Sequence, residues 1–310
     1  MGISNGPKEN VTASVTATGA QHPVWKRWVR FESHDGKIYG GEPVDFEIDV
    51  GLAIANKEEV AVRVIEGGCA LDYEAQFTGE TRVIQKLLPP VSQKEAGTVR
   101  CIGLNYKEHA AEMKLALPST PTVFLKADTC IASASDPILL PSNVEFDEAD
   151  YEVELAIIIG KLCKDVSVAD AEGYILGYAT ANDVTARQHQ ERTSQWSYAK
   201  GMDGFCPLGP CIGSTELIPN PANLNLRTFL NGKTMQNGYA DDMIFSVPEI
   251  VSHLSKPKGH TLRPGTVIIT GTPCGIGISQ SPPRFLQPGD KLRISISHGL
   301  GTQICEITRG

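Results

Sequence analysis

The stretch DYEVELAIIIGK, from Asp150 to Lys161, constrains the fold more than any other part of the chain. Its apolar, β-branched run reads as a strand buried on both faces. Side chains alternate along a strand, so Glu152 and Glu154 point the same way, roughly 7 Å apart at the backbone. Ala156 and Ile158 continue their face. Two like charges held side by side in such a strand are costly unless something opposite neutralises them.

The surrounding sequence is also strand-rich. From Val99 onward come TVRCIGL, TVFLKA, YILGYATAND, TVIITGTP and KLRISIS, punctuated by LPSN, IPNPAN, LRPGT and LQPGD. Helical patterns are few: NYKEHAAEMKLA, SVADAEGYI, TARQHQERTSQW and SVPEIVSHLSK. The pattern predicts a mostly-β, α+β domain over residues 96–310 rather than an alternating α/β chain. Upstream, WKRWVRFESHDGKIYGGEPVD predicts two strands joined at Asp35-Gly36. Residues 24–95 read as a small β-rich N-terminal domain, with LPPVSQKEAG (Leu88 to Gly97) as linker. The same residues are also compatible with the first layer of one continuous domain. Residues 1–23, polar and without an apolar core, read as a disordered tail and carry no secretory signal.

Composition excludes several classes. A net charge of −8 with no Lys/Arg cluster argues against nucleic acid as partner. No apolar run reaches the ~18 residues of a membrane span. The eight cysteines include no Cys-x-x-Cys pair. They predict reduced thiols and a cytoplasmic location, with a mitochondrial one as the alternative, which the lack of Arg in the Ser/Thr/Ala-rich start weakens.

Chemistry-bearing residues recur along the chain. Asp183, in GYATANDVTARQHQ, is a third acid that could join Glu152 and Glu154 in an oxygen site for a hard divalent cation. The glutamates are equally compatible with cross-strand ion pairs, and Asp183 with a helix cap. Arg187 and Gln190 fall four and seven residues after Asp183, on one helical face, where Arg187 could clamp a substrate carboxylate. A plain Asp–Arg pair on a solvated helix fits the same spacing. His109 and Glu112 sit three apart in a helical pattern, the arrangement of a general base steadied by a carboxylate. Lys126, as a substrate contact, and Lys200, just before a Gly-rich turn suited to presenting a positive charge to an anion, are further candidates, though either could equally be a surface lysine. TVIITGTPCGIGISQ lacks both Gly-Lys-Ser/Thr and Gly-x-Gly-x-x-Gly, so it is not a nucleotide loop. Gly271 and Thr272 in it could still offer an amide and a hydroxyl to a small anion.

In order, GLNYKEHAAE, VFLKA…DPILLP, DYEVELAIIIGK, GYATANDVTARQHQ, KGMDGFCPLGP, TGTPCGIG and PGDKLRISISHGLGT resemble the fumarylacetoacetate hydrolase family from about Val99 to the C-terminus. VRFESHDGKIYGGEP is similar to the small leading domain of the family's shorter members. The resemblance implies a rolled mixed β-sheet, usually in homodimers. It implies a divalent metal, commonly Mg²⁺ with Mn²⁺ or Ca²⁺ as alternatives, on Glu152, Glu154 and Asp183. Arg187, Gln190 and Lys200 match residues that contact substrate or its oxyanion. His109 and Glu112 match a water-activating dyad on a mobile lid. The implied substrates are 2-oxo or 1,3-dicarbonyl acids. The implied reaction is hydrolysis or decarboxylation of a C–C bond in acylpyruvate- or oxaloacetate-like acids through an enolate on the metal. A tautomerase of oxaloacetate, an isomerase of an unsaturated 2-oxo diacid and a non-catalytic metal-stabilised scaffold are the alternatives. Gln188 and His189 depart from the family pattern, and the acidic run EFDEAD before the glutamates has no assigned purpose.

Overall fold

The structure, a computed structural model, describes residues 22–145, 148–257 and 259–310. The tail expected at residues 1–23 falls almost wholly outside the described residues. Strands β1 (Arg27–Glu32) and β2 (Ile38–Pro43) form the hairpin expected at Asp35-Gly36. Gly36 takes φ 74°, the conformation that makes glycine favourable there. Helix α1 (Val50–Ala55) follows, capped by the Asp49 side chain. Strands β3 (Ala61–Ile65) and β4 (Phe77–Val83) extend the sheet beyond β2, and β5 (Lys86–Leu88) pairs with β1.

The segment read as a linker is packed. Ser92 and Glu95 form a capping box at helix α2 (Gln93–Ala96), and Val91 and Ala96 are buried. Strand β6 (Val99–Gly103), helix α3 (Lys107–Glu112) and strand β7 (Thr122–Lys126) come next. Short strands β8 (Ile131–Ser133), β9 (Ile138–Leu140) and β10 (Ala149–Asp150) lead into β11 (Val153–Ile159). Strand β12 (Ile175–Asn182) pairs antiparallel with β11, then β13 (Thr185–Ala186) pairs with β10. Short helices α4 (Arg187–Glu191) and α5 (Ser197–Lys200) precede β14 (Cys206–Ser214). Strands β15 (Asn225–Leu230) and β16 (Lys233–Tyr239), helix α6 (Val247–Ser255), and strands β17 (Val267–Ile269), β18 (Lys291–Ile296) and β19 (Gly301–Arg309) complete the chain.

One mixed sheet runs β4-β3-β2-β1-β14-β12-β11-β17-β6-β7. The junction is β1 against β14, with Arg27 opposite Gly213, so the N-terminal strands continue the sheet of the remainder. A second sheet, β16-β15-β18-β19-β9, packs on one face of the first. Three of the expected helices are shorter than read, NYKEHAAEMKLA among them with only Lys107–Glu112 helical. SVADAEGYI yields only a 3₁₀ turn at Ala171–Tyr174. TARQHQERTSQW starts its helix at Arg187, because Thr185 lies in the ladder opposite Asp150 and stays extended.

The alternation along β11 sorts its residues between two cores. Val153, Leu155, Ile157 and Ile159 pack in the layer between the two sheets. Ala156 and Ile158 pack in a second cluster on the opposite face, the face that Glu152 and Glu154 share. Ile157, fully buried between the sheets, sets a direct test. Ile157→Ala should lower unfolding free energy by about 2–5 kcal/mol in urea titration with the slope unchanged. A loss under about 0.5 kcal/mol would mean the residue is not in a packed core.

Candidate metal centre and active site

Glu152 and Glu154 flank Val153 at the start of β11, and Asp183 follows the last residue of β12. The β11–β12 ladder sets Val153 opposite Asn182, and the Asp183 amide donates to the Glu152 carbonyl at 2.9 Å. The register therefore brings the three acids together: one oxygen from each lies within 4.8 Å of the others. All three are buried.

Their charges are unevenly compensated. Lys200, at the end of α5, donates to Glu152 Oε2 at 3.0 Å, Asp183 Oδ2 at 2.7 Å and Thr185 Oγ1 at 2.8 Å. Arg187 Nη2 stands 2.7 Å from Glu152 Oε1. Burial works against ionisation of Glu152, but Lys200 and Arg187 outweigh it and hold the carboxyl down at about 2. Glu154 accepts from the Gly271 amide at 2.6 Å, and among the described residues no Lys, Arg or His pairs with it. Burial, then Asp183 and Glu152, push the Glu154 carboxyl well above the usual range. A buried acid set beside two others with no cation of its own fits a bound cation. The all-oxygen donor set fits a hard divalent ion.

Lys126 requires a correction. The sequence placed it among substrate contacts, but its ammonium is fully buried behind the site, donating to Asp183 Oδ1 at 2.6 Å and the Phe205 carbonyl at 2.6 Å. Burial opposes its charge, yet Asp183 and neighbouring thiols raise its pKa, so it stays an ammonium that orients Asp183.

Arg187 also differs from the single-helix-face reading. Asp183 lies before β13, outside the helix, and does not pair with Arg187. The partner is Asp150, whose Oδ2 accepts from Arg187 Nε at 2.9 Å. Gln190 Oε1 accepts from Arg187 Nη1 at 3.1 Å. Asp150 is the residue that sequence reading missed. It sits in the acidic run EFDEAD, two before Glu152, and the same two-residue alternation that linked Glu152 to Glu154 carries the signal. Of the two departures, His189 is kept out of the cavity lining: its Nε2 lies 2.9 Å from the Asn143 carbonyl and its ring stands edge-on to Tyr198.

The Gly-rich loop after β17 does bind anions, but they are the protein's own. The Gly271 amide serves Glu154, which corrects its assignment as a free substrate donor. The Gly277 and Ile278 amides donate to Asp150 at 2.7 and 3.0 Å. The Gly275 amide and the Ser279 hydroxyl donate to Glu112 Oε1 at 2.9 and 2.6 Å. The Thr272 hydroxyl accepts from Gln236 at 2.8 Å. Glu112 Oε2 in turn lies 3.0 Å from His109 Nδ1. Burial would raise the Glu112 pKa, but hydrogen bonds from His109, Ser279 and Gly275 hold it below the usual carboxylate range.

His109, Glu152, Glu154 and Asp183 line one cavity of about 170 Å³, with Arg187, Gln190, Lys200, Gly271 and Thr272. A larger cleft of about 540 Å³, around Arg27, Arg227 and Arg293, holds none of these residues. The candidate site residues therefore gather in the smaller cavity.

The fumarylacetoacetate (FAA) hydrolase C-terminal profile matches residues 98–308. Caffeoylpyruvate hydrolase of Neonothopanus nambi is 38% identical over 284 residues, covering 90% of this chain and 92% of its own. Oxaloacetate tautomerase fahd2, mitochondrial, of Xenopus laevis is 38% identical over 306 residues, covering 94% and 91%. Among solved structures, 2-hydroxyhepta-2,4-diene-1,7-dioate isomerase from Mycobacterium marinum superposes with a TM-score of 0.74 at 36% identity, over 92% of this chain and 99% of that one.

The isolation of Glu154 predicts an opposite pair of effects from one substitution. A carboxyl whose folded pKa lies above its unfolded value costs stability at neutral pH. Glu154→Gln keeps the Gly271 contact and removes that cost, so the metal-free variant should melt no lower than the parent. Mg²⁺ at about 100 times its dissociation constant should stabilise the parent by about 2.7 kcal/mol and the variant by almost nothing. Equal Mg²⁺ stabilisation of both proteins in thermal melts would contradict the assignment.

Proposed function

The chain belongs to the fumarylacetoacetate hydrolase family, and we propose that it is a Mg²⁺-dependent hydrolase or decarboxylase of C–C bonds in acylpyruvate- or oxaloacetate-like 2-oxo acids. The observation that carries this reading is the His109–Glu112 dyad sharing one cavity with the carboxylate cluster. Glu152, Glu154 and Asp183 would hold the cation. When bound, the cation supplies Lewis-acid polarisation of the substrate's oxygens.

The remaining roles fall to the chain's own groups. Glu112 fixes Nδ1 of His109, leaving Nε2 to take a proton from water, and stabilises the imidazolium that forms. The hydroxide so generated adds to the distal carbonyl. The bond between that carbon and C3 then breaks, and its electron pair passes to the 2-oxo acid fragment as an enolate. The proton held by His109 returns to C3, giving a carboxylic acid and a 2-oxo acid. Arg187, braced by Asp150 and Gln190, is positioned for the substrate carboxylate. Lys200 has all three N–H bonds engaged, so it acts on a developing oxyanion through its charge.

Tautomerisation of oxaloacetate, or isomerisation of an unsaturated 2-oxo diacid, is the second reading. It is favoured by the cavity of about 170 Å³, below the roughly 300–1,000 Å³ of drug-sized sites. The same His109 would move a proton between carbon and oxygen. We assign residues 96–310 as the catalytic domain, since every site residue lies there, and residues 24–95 as the small N-terminal domain. A homodimer is the proposed assembly. The proposed compartment is the cytoplasm, supported by eight free cysteines. Among the described residues no helix is long and apolar enough to cross a membrane.

A panel of keto and enol oxaloacetate, acetylpyruvate and fumarylacetoacetate with Mg²⁺, followed by enol absorbance, pyruvate and CO₂, separates the readings. His109→Ala should slow C–C cleavage by about 10²–10⁴-fold. Near-parental cleavage by that variant, or full turnover after EDTA treatment and desalting, would contradict the mechanism.

A further inference from the structure

The lining of the cavity has a polar and an apolar part. Its lysine and arginine, Lys200 and Arg187, both bond Glu152 and so belong to the carboxylate cluster. Away from the carboxylates the lining includes Leu104, Met113, Leu115, Phe124, Trp196 and Ile276, with His109 as its remaining ionisable group and the Lys200 ammonium 5.3 Å from the Phe124 ring centroid.

This apolar part is built rather than incidental. Phe124 and Trp196 meet edge to face, 5.4 Å between centroids. The Trp196 ring packs over Gly103, where a Cβ would come within 2.8 Å of it, so glycine makes room for the indole. Next in the chain, Leu104 takes φ 46°. That left-handed conformation is strained for a leucine and suits Gly or Asn better. The strained backbone holds a large apolar side chain in the cavity.

The wall also bears on charge. A distal carboxylate set against Leu104, Phe124 and Trp196 would be buried on apolar side chains, a costly placement, whereas an aromatic group there would not be.

We propose that the cavity wall formed by Leu104, Phe124 and Trp196 is a subsite for an uncharged, aromatic distal group, so that the enzyme selects 2-oxo monocarboxylates over dicarboxylates. This rests on the functional reading above for the carboxylate end. It narrows that reading towards acylpyruvates with an apolar acyl group.

The test is binding, independent of turnover. Phenylpyruvate and 2-oxoglutarate are 2-oxo acids that differ in a distal phenyl or carboxylate group, and neither has the dicarbonyl bond the reaction cleaves. By calorimetry with Mg²⁺, phenylpyruvate should bind at least tenfold more tightly. Equal affinities, or a preference for 2-oxoglutarate, would overturn the proposal. Leu104→Asn should lower phenylpyruvate affinity at least fivefold more than 2-oxoglutarate affinity, without lowering the melting temperature. Trp196→Ala should change selectivity in the same direction. Equal losses for both ligands in both variants would refute the subsite. Oxalate, which reaches only the carboxylate end, separates the two levels. If it fails to bind with Mg²⁺ the functional reading itself falls, and the subsite with it. If it binds but the two oxo acids are not distinguished, the subsite alone falls.

Discussion

The convergence of Glu152, Glu154 and Asp183 is the constraint on which the rest of the structure turns. The β11–β12 ladder forces the three carboxylates to one point inside the protein. Lys126, Lys200 and Arg187 are drawn in from β7, α5 and α4 to offset them. Those cations reach Glu152 and Asp183 but leave Glu154 with only a backbone amide. The sheet thus builds a place for one more cation. Buried ion pairs contribute little net stability when desolvation is counted, so their value here lies in the geometry they hold.

A single loop connects that cluster to the rest of the chemistry. The amides following β17 divide among Glu154, Glu112 and Asp150. Glu154 belongs to the candidate cation site, Glu112 pairs with the proposed base His109 on α3, and Asp150 with the arginine at the start of α4. The two glycines that donate to Glu154 and Glu112 have positive φ, 91° at Gly271 and 102° at Gly275, so side chains there would be strained. The position of α3 beside the cavity and that of Arg187 therefore share one backbone framework.

Much of this was legible in the sequence, because it is local. Period-two alternation fixed the shared face of Glu152 and Glu154, the Asp35-Gly36 turn marked the first hairpin, and the three-residue spacing of His109 and Glu112 put them on one helical face. What was not legible depends on long-range pairing. The β1–β14 ladder joins segments some 180 residues apart and carries no local signal. The Arg187–Asp150 pair depends on the β10–β13 ladder, which keeps Thr185 extended and moves the helix start past Asp183. Lys126 looked like a substrate contact because sequence cannot tell which end of a strand faces the cavity. The family resemblance supplied the roles of Arg187, Gln190 and Lys200, for which spacing alone offered ordinary alternatives.

The most direct measurement of the central claim is anomalous diffraction from crystals grown with Mn²⁺. The account predicts one strong peak in the cavity, within coordination distance of oxygens from Glu152, Glu154 and Asp183. Glu154 should be among the ligands, and Lys126 should remain on Asp183. A cavity without a peak, or a peak elsewhere with the three carboxylates still paired only to lysine and arginine, would contradict it.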